Sequence, residues 1–329
     1  MTEQTASEII KTTSTLTFKD RLGAYKVRWG FGRMTYSIYP GLYSIGNPNV
    51  DSPVLVTANY KLTFDQLRQE LSDFDAYILV LNTDAINVWC AAGKGTFGTK
   101  ELINRIYRTN LKDVISHRQL ILPQLGAPGV DSSLVTKKTE FNISYGPAYA
   151  KDIKKYFLND CKATKEMRKT KFNAFDRLVL TSVELMSTLR ISLYILGVIF
   201  ILNLFVSRKF ALEDFTLLMS AILSGTVIAP VLLPIIPGRA FSFKGWLVGV
   251  LVTLALLYYF DMLNNLILPA GYLLAMPAIS SYLMMNFTGS TTFTSPSGVL
   301  KEMKIALPFI IGSLVLGIVL LLVSSIIGG

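Results

Sequence analysis

A chain of 329 residues, 51% hydrophobic and carrying a formal net charge of +10, has room for about two domains by length. Two cysteines, Cys90 and Cys161, and one histidine, His117, exclude a disulfide scaffold and any four-cysteine metal or iron–sulfur site within one chain. They also exclude the histidine-rich sites of most hydrolytic metalloenzymes.

The two halves differ. Up to about Arg177 charged and apolar residues alternate as in a soluble globular domain, and beyond it the sequence is mostly apolar runs. The division is therefore one soluble domain, residues 1–175, followed by one membrane domain, residues 176–329. The N-terminal stretch "MTEQTASEIIKTTSTLTFKD" lacks the basic start, apolar centre and small-residue cleavage site of a signal peptide. The soluble half is expected to stay in the cytoplasm.

In chain order, β-rich apolar runs alternate with helical spacing. "SPVLVTANY" reads as a strand, "TFDQLRQELSDF" as a helix, "DAYILVLNT" as a strand and "GTKELINRIYRTNL" as a helix. "RQLILPQLG", "DSSLVTKKT" and "EFNISYGPAY" continue the pattern as strand, helix and strand. Such alternation predicts an open α/β sheet, largely parallel, with ligands bound beyond the carboxyl ends of its strands. The loops that follow those strands, "TANYK", "NTDAINVWCAAGKG", "LGAPGV" and "YGPAY", are rich in Gly, Pro, Asn and Thr, as close approach of backbone to a large planar ligand requires.

Much of the basic excess lies in "KDIKKYFLNDCKATKEMRKTKFNAFDR", just before the first apolar run. Its position fits the positive-inside rule and anionic lipid headgroups better than nucleic acid. Five spans are then expected, at Ser187–Val206, Phe215–Ile236, Phe243–Met262, Leu266–Met285 and Ile305–Ile327, each near the ~20 apolar residues that cross a bilayer. With the soluble domain inside, Arg239, Lys244, Lys301 and Lys304 fall on the cytoplasmic side against Arg208 and Lys209 outside. The C-terminus is then external. Arg190 and Asp261 lie near span ends, where long side chains snorkel to water. The prolines in "APVLLPIIP" and "LLAMPAIS" read as tolerated kinks.

The chemistry concentrates in "NVWCAAGKGTFGTKE", Asn87 to Glu101. A phosphate-binding loop needs a glycine five positions before the Gly-Lys pair and Ser or Thr directly after it, where this chain has Val88 and Gly95. "GKGTFG", Gly93–Gly98, follows a cysteine-bearing segment instead of leaving a strand directly, so the dinucleotide fingerprint is incomplete as well. Cysteine-protease chemistry would need His117 as the base, and His117 precedes a buried strand. Two readings of Cys90 remain: a small buried hydrophobe, or a soft donor. A single thiolate cannot hold a bare ion tightly, but it can supply one axial ligand to a metal already held by a macrocycle.

"NVWCAAGKGTFGT" resembles the cap-helix motif of the mercury-methylating corrinoid protein family, HgcA, with Cys90 at the position of the family cysteine. The likeness extends to "YKVRWGFGR", "PGLYSIGNPNVDSPVLVTANYKLTFD", "LILPQLGAPGV", "YGPAYAKDI" and "FTGSTTFTSPSGVLKEM", and so covers nearly the whole chain. The resemblance implies a Rossmann-like corrinoid-binding domain, similar to that of the corrinoid iron–sulfur protein of the acetyl-CoA pathway, followed by a five-helix transmembrane domain in the cytoplasmic membrane. It implies a corrinoid-dependent methyltransferase that binds cobalamin with Cys90 as lower axial ligand of the cobalt and passes the methyl group to Hg(II), giving methylmercury. A ferredoxin-like partner with two [4Fe-4S] clusters, HgcB, would supply electrons, since this chain is expected to carry no iron–sulfur cluster of its own. A methyl-folate-dependent protein is the expected methyl donor.

On that basis Thr57, Asn59, Asn87, Trp89, Cys90, Gly93, Lys94, Gly95, Thr96, Gly126, Pro128, Gly146 and Pro147 are the expected cofactor-binding residues. Trp89 is expected to pack the cap helix, and Lys94 to meet corrin amides or a phosphate. Ordinary turn chemistry competes for the residues outside the cysteine stretch. The alternative function keeps the corrinoid and makes the protein a membrane-bound methyl carrier of one-carbon metabolism. A transporter or sensor with a ligand-binding soluble domain is a further class, disfavoured by the lack of clustered intramembrane charge.

Overall fold

The computed structural model of the chain describes residues 9–202, 212–290, 294 and 296–327. They form two compact units, Met1–Val27 with Phe31–Lys171, and Arg28–Gly30 with Phe172–Gly329.

The first unit is an α/β sheet domain. Its elements in chain order are β1 (Ile10–Thr12), α1 (Phe18–Arg28), β2 (Gly41–Ile45), β3 (Val54–Ala58), α2 (Lys61–Glu70), β4 (Ala76–Leu81), α3 (Val88–Lys94), α4 (Thr99–Arg108), α5 (Leu111–Val114), β5 (Gln119–Leu122), α6 (Ser132–Thr139), β6 (Asn142–Tyr145) and α7 (Ile153–Leu158). The strands make one sheet in the order β1-β2-β4-β3-β5-β6. β4, β3, β5 and β6 are parallel, whereas β2 runs antiparallel to β4 and carries β1 parallel to itself.

β3 and β4 are buried at every position, as strands covered by helices on both faces must be. Their alternate residues serve two cores. Val54, Val56, Leu79 and Leu81 face a cluster with Phe97, Leu102, Ile106 and Leu120, and Leu55, Ile78 and Val80 face Phe64, Leu67, Leu71 and Tyr156. β4 and β5 flank β3 on opposite sides, so the chain reverses its direction of strand addition at β3. In open α/β sheets such a reversal is where ligands bind, beyond the carboxyl ends of the strands.

The four expected strands appear as β3 to β6, and the three expected helices as α2, α4 and α6. β1 and β2 were not among the expected elements; each is short, and β2 is bounded by Pro40 and by Gly46 at φ 68°. Its packing on β4, rather than any long periodic pattern, makes it a strand.

A charged cluster ties α1 to α2. Lys61 Nζ lies 2.6 Å from both Asp20 and Asp65, and Arg68 reaches Asp65 at 2.8 Å and Asp20 at 2.9 Å. Burial opposes ionisation of Asp20, but hydrogen bonds from Lys61 and Thr17 outweigh it and hold the carboxyl well below the usual carboxylate range.

The second unit holds α8 (Ala174–Leu202), α9 (Leu212–Leu223), a π-helical turn at Ser224–Ile228, α10 (Ala229–Val231), α11 (Phe241–Tyr259), α12 (Ile267–Asn286) and α13 (Pro296–Ile327). Among the described residues four helical stretches, Leu212–Val231, Phe241–Tyr259, Ile267–Asn286 and Ser297–Ile327, are long and apolar enough to cross a membrane. The first expected span, Ser187–Val206, extends beyond the described residues, so the count here is four where five were expected. The expected span Phe215–Ile236 ends early as a regular helix, at Val231, where Pro230, Pro234 and Pro237 crowd the chain.

Small residues let these helices approach closely. A Cβ on Gly225 would sit 2.5 Å from the Ser280 carbonyl oxygen, and one on Gly317 would meet Ala275 and Gly271 at 2.7–2.9 Å. In α13 the segment "GSLVLG", Gly312–Gly317, thus packs on α12 of the same chain at Gly317, while a Cβ on Gly312 would meet nothing within 4 Å.

Candidate functional site

The expected site residues outside β3 converge on the carboxyl ends of the parallel strands. Asn59 follows β3, Asn87–Thr96 follow β4, Gly126 and Pro128 follow β5, and Gly146 and Pro147 follow β6. Thr57 is within β3 and 2% exposed.

The segment after β4 is built around Asn59. Its side-chain oxygen accepts from Thr83 N at 3.0 Å and Ala85 N at 3.2 Å, and the Thr83 hydroxyl lies 2.9 Å away. That hydroxyl also reaches the Ile86 carbonyl at 2.7 Å, and it donates to one of the two. Glu101, held by Arg105 at 2.7 Å, accepts from Asn82 N at 2.9 Å. These bonds hold Asp84 and Ala85 at φ 55° and 58°, a left-handed conformation costly for residues with a Cβ. Asn59 thus organises the loop that launches α3.

α3 is a capped helix. Asn87 stands in extended backbone and accepts from Cys90 N at 2.9 Å, while Gly95 ends the helix at φ 83°, the left-handed position where glycine avoids the Cβ penalty. Val88, Ala91 and Ala92 are buried in the core with Phe97 and Val130. The outer face carries Trp89, Cys90, Gly93 and Lys94, of which Cys90 is half-buried and Gly93 and Lys94 are exposed. Trp89 is 36% exposed and lies on this outer face, not in the packing beneath the helix.

The loop after β5 presses against α3 from below. A Cβ at Gly129 would lie 2.2 Å from the Phe97 carbonyl oxygen and 3.1 Å from Ala92 Cα; one at Gly126 would lie 2.5 Å from the Phe97 ring. Gly126 therefore has a packing role. Gly129 and Phe97 escaped notice in the sequence, although the spacing of the two glycines in "LGAPG" was a visible sign of close backbone approach. Gly146 N donates to Leu122 O at 2.8 Å and Gln124 N to Pro147 O at 3.4 Å, so the β6 loop continues the pairing with the β5 loop. Pro128 is exposed.

His117 lies at the other end of the sheet. It precedes β5, its Nδ1 accepts from Gln119 N at 3.2 Å, and its Nε2 therefore donates to Ser52 O at 2.9 Å. Both ring nitrogens are engaged, and Cys90 is beyond the opposite strand ends. A Cys–His nucleophile pair is not formed.

Three features bear on the corrinoid that the resemblance implies. Cys90 offers a soft sulfur donor on an outward helix face. Beside it a Cβ on Gly93 would meet nothing within 4 Å, leaving open space where a flat ring must approach. The Thr96 hydroxyl is buried without a hydrogen-bond partner, an arrangement that calls for an outside polar group. The residues present fit the group.

Residues 32–157 match the family described as CO dehydrogenase/acetyl-CoA synthase delta subunit. Among curated proteins, the acetyl-CoA decarbonylase/synthase complex subunit gamma of Methanopyrus kandleri is 36% identical over 93 residues, which is 28% of this chain and 20% of that protein. The subunit gamma of Methanocaldococcus jannaschii is 35% identical over 97 residues, 29% of this chain and 20% of the relative. That of Archaeoglobus fulgidus is 31% identical over 97 residues, 29% and 21% of the two chains. The chain thus spans about a fifth of the length of these relatives. The matched family region contains β2 to β6 with α3 and stops before α8. Through its α/β unit, the chain is related to subunits of the carbon monoxide dehydrogenase and acetyl-CoA synthase group.

Proposed function

We propose that the α/β unit binds a corrinoid and carries a methyl group on it, with Cys90 as the lower axial ligand of the cobalt, and that the apolar helices hold this unit at the cytoplasmic face of a membrane. The observation that carries the reading is the half-buried Cys90 thiol on the outward face of α3, beside the open Gly93, at the carboxyl end of the parallel sheet. Similarity to acetyl-CoA decarbonylase/synthase subunits supports it. A bound corrinoid supplies a cobalt that takes up and gives back a methyl group.

The chain's own residues do the positioning. Asn87 caps α3 at Cys90 N and fixes the sulfur's direction, Asn59 and Glu101 hold the loop before it, and Gly126 and Gly129 admit the supporting loop beneath. Thr96 and Lys94 offer a hydroxyl and an ammonium to polar groups on the rim of the cofactor.

A methyl carrier in one-carbon metabolism agrees with the relatives at the coarse level. Delivery of the methyl group to Hg(II) is the finer reading, supported by Cys90 and by the motif around it. A thiolate donates electron density to the metal, which favours handing a methyl group to an electrophile. A two-[4Fe-4S] partner of the HgcB kind and a methyl-folate-dependent donor complete the proposal.

The test is full-length protein purified without oxygen, with the iron–sulfur partner co-expressed, compared with Cys90→Ala at equal corrinoid loading. The parent is expected to show a thiolate-ligated cobalt spectrum that the variant lacks, and to form methylmercury at least about 100-fold faster, since even the outer-shell partners of a metal ligand are worth about 10–100-fold. Corrinoid binding with the Cys90-dependent spectrum but no methylmercury leaves the carrier reading. No corrinoid binding sinks both.

A further inference from the structure

α1 has one face that its own unit accounts for and one that it does not. The inner face is fixed: Asp20 is tied to Lys61 and Arg68, Val27 is buried, and a Cβ at Gly23 would strike the Tyr36 ring. At about 100° per residue, Phe18, Leu22, Tyr25 and Trp29 lie within about 60° of one another on the opposite side. They are 80%, 42%, 64% and 44% exposed. Trp29 follows the last helical residue, and Gly30 at φ 79° closes the helix with Phe31 N donating to Lys26 O.

Cations border this stripe on both sides, Arg21 and Arg28 on one and Lys19 and Lys26 on the other. Among the described residues Lys19, Arg21 and Lys26 have no ion-pair partner, and the single acid of α1, Asp20, is engaged inward. A narrow aromatic stripe with long cations on both flanks is the pattern of a helix lying in a membrane interface, where the stems snorkel and the charges meet phosphates. Trp29, with Arg28 and Gly30, belongs to the unit that holds the apolar helices, where the Ser182 hydroxyl of α8 donates to Arg28 O at 2.6 Å.

We infer that α1 is an interfacial helix that docks on an anionic phospholipid surface, with Phe18, Leu22, Tyr25 and Trp29 entering the headgroup boundary and Lys19, Arg21, Lys26 and Arg28 binding lipid phosphates. The inference rests on the membrane reading of the second unit and is independent of the cofactor.

The chain has three tryptophans, Trp29, Trp89 and Trp246, which permits a direct test in the full-length protein. One variant keeps Trp29 alone (Trp89→Phe with Trp246→Phe), and another keeps Trp246 alone (Trp29→Phe with Trp89→Phe). Each is placed in phosphatidylcholine–phosphatidylglycerol nanodiscs with plain or brominated acyl chains. Trp29 emission is expected to be strongly quenched by the brominated lipid, and the quenching to be lost on adding Leu22→Ser with Tyr25→Ser, whose side chains are exposed and carry little of the fold. Trp246 quenched with Trp29 unquenched overturns the inference and leaves the membrane reading intact. Trp246 unquenched overturns both. Trp29 shielded without lipid quenching, in step with protein concentration or an added protein, assigns the stripe to a second copy or a protein partner and likewise overturns the lipid assignment.

Discussion

The two ends of one sheet treat their polar groups in opposite ways. At the amino end, both nitrogens of His117 are bonded, Ser116 bonds Asp51, and Ser52 closes the Asn49 turn. At the carboxyl end the backbone is just as well tied, through Asn59, Glu101 and Asn87, yet it presents a thiol without a hydrogen-bond partner among the described residues, an unpartnered hydroxyl at Thr96 and open space at Gly93. The amino end consumes its chemistry in holding the loops. The carboxyl end holds its loops and leaves these groups unspent, whereas the histidine is bonded into the fold at both ring nitrogens.

The sharpest way to break this contrast is at the contact under α3. Gly129→Val forces a side chain against the Phe97 carbonyl and Ala92, both backbone contacts that cannot rotate away, and a loss of about 3 kcal/mol is expected from overpacking. Urea unfolding of the full chain in detergent measures it, and an unchanged midpoint would refute the close approach.

Asn59→Ala leaves the amides of Thr83 and Ala85 without their acceptor, at an expected cost of about 2 kcal/mol. It should also raise amide exchange across residues 82–87 while leaving β5 unchanged, a local effect that separates loop positioning from general destabilisation. Asn87→Ala removes the cap on Cys90 N and should cost about 1 kcal/mol, with a larger effect on corrinoid affinity than on unfolding.

The smallest expected effect concerns pH and lies along α2, away from the contrast. Because the folded Asp20 carboxyl is held below its ordinary range, its stabilisation is complete above the unfolded value of about 3.9 and is lost as pH falls through the depressed folded value. Asp20→Asn should flatten the acid limb of a stability–pH curve and leave the neutral region parallel to the parent. A parent curve with no acid limb below about pH 4 would contradict the cluster.

The strands β3 and β4 were legible because an apolar run of five or six residues between turn residues has few other uses, and the four-residue β5 and β6 were legible from their place in the alternation with helices. The same legibility failed for β2, whose five residues become a strand only by pairing with β4. It failed again for α1, whose apolar positions point outward and so give no core signal. At the site, Cys90 stood out from local chemistry, as the one cysteine beside a glycine-rich turn. Asn59 could be found but not assigned, because its acceptor oxygen meets partners 24–26 positions away.

The division into an α/β half and an apolar half, the glycine- and proline-rich loops that end the strands, and the one thiol beside a glycine-rich turn are all written in the sequence, because composition, periodicity and turn chemistry are properties of neighbouring residues. Folding alone sets His117 and Cys90 at opposite ends of the sheet, brings the supporting loop of Gly126 and Gly129 against α3, and packs Gly317 on α12 of the same chain. Each of those facts depends on which distant backbone arrives within a few ångströms, and that is fixed by strand order and helix packing.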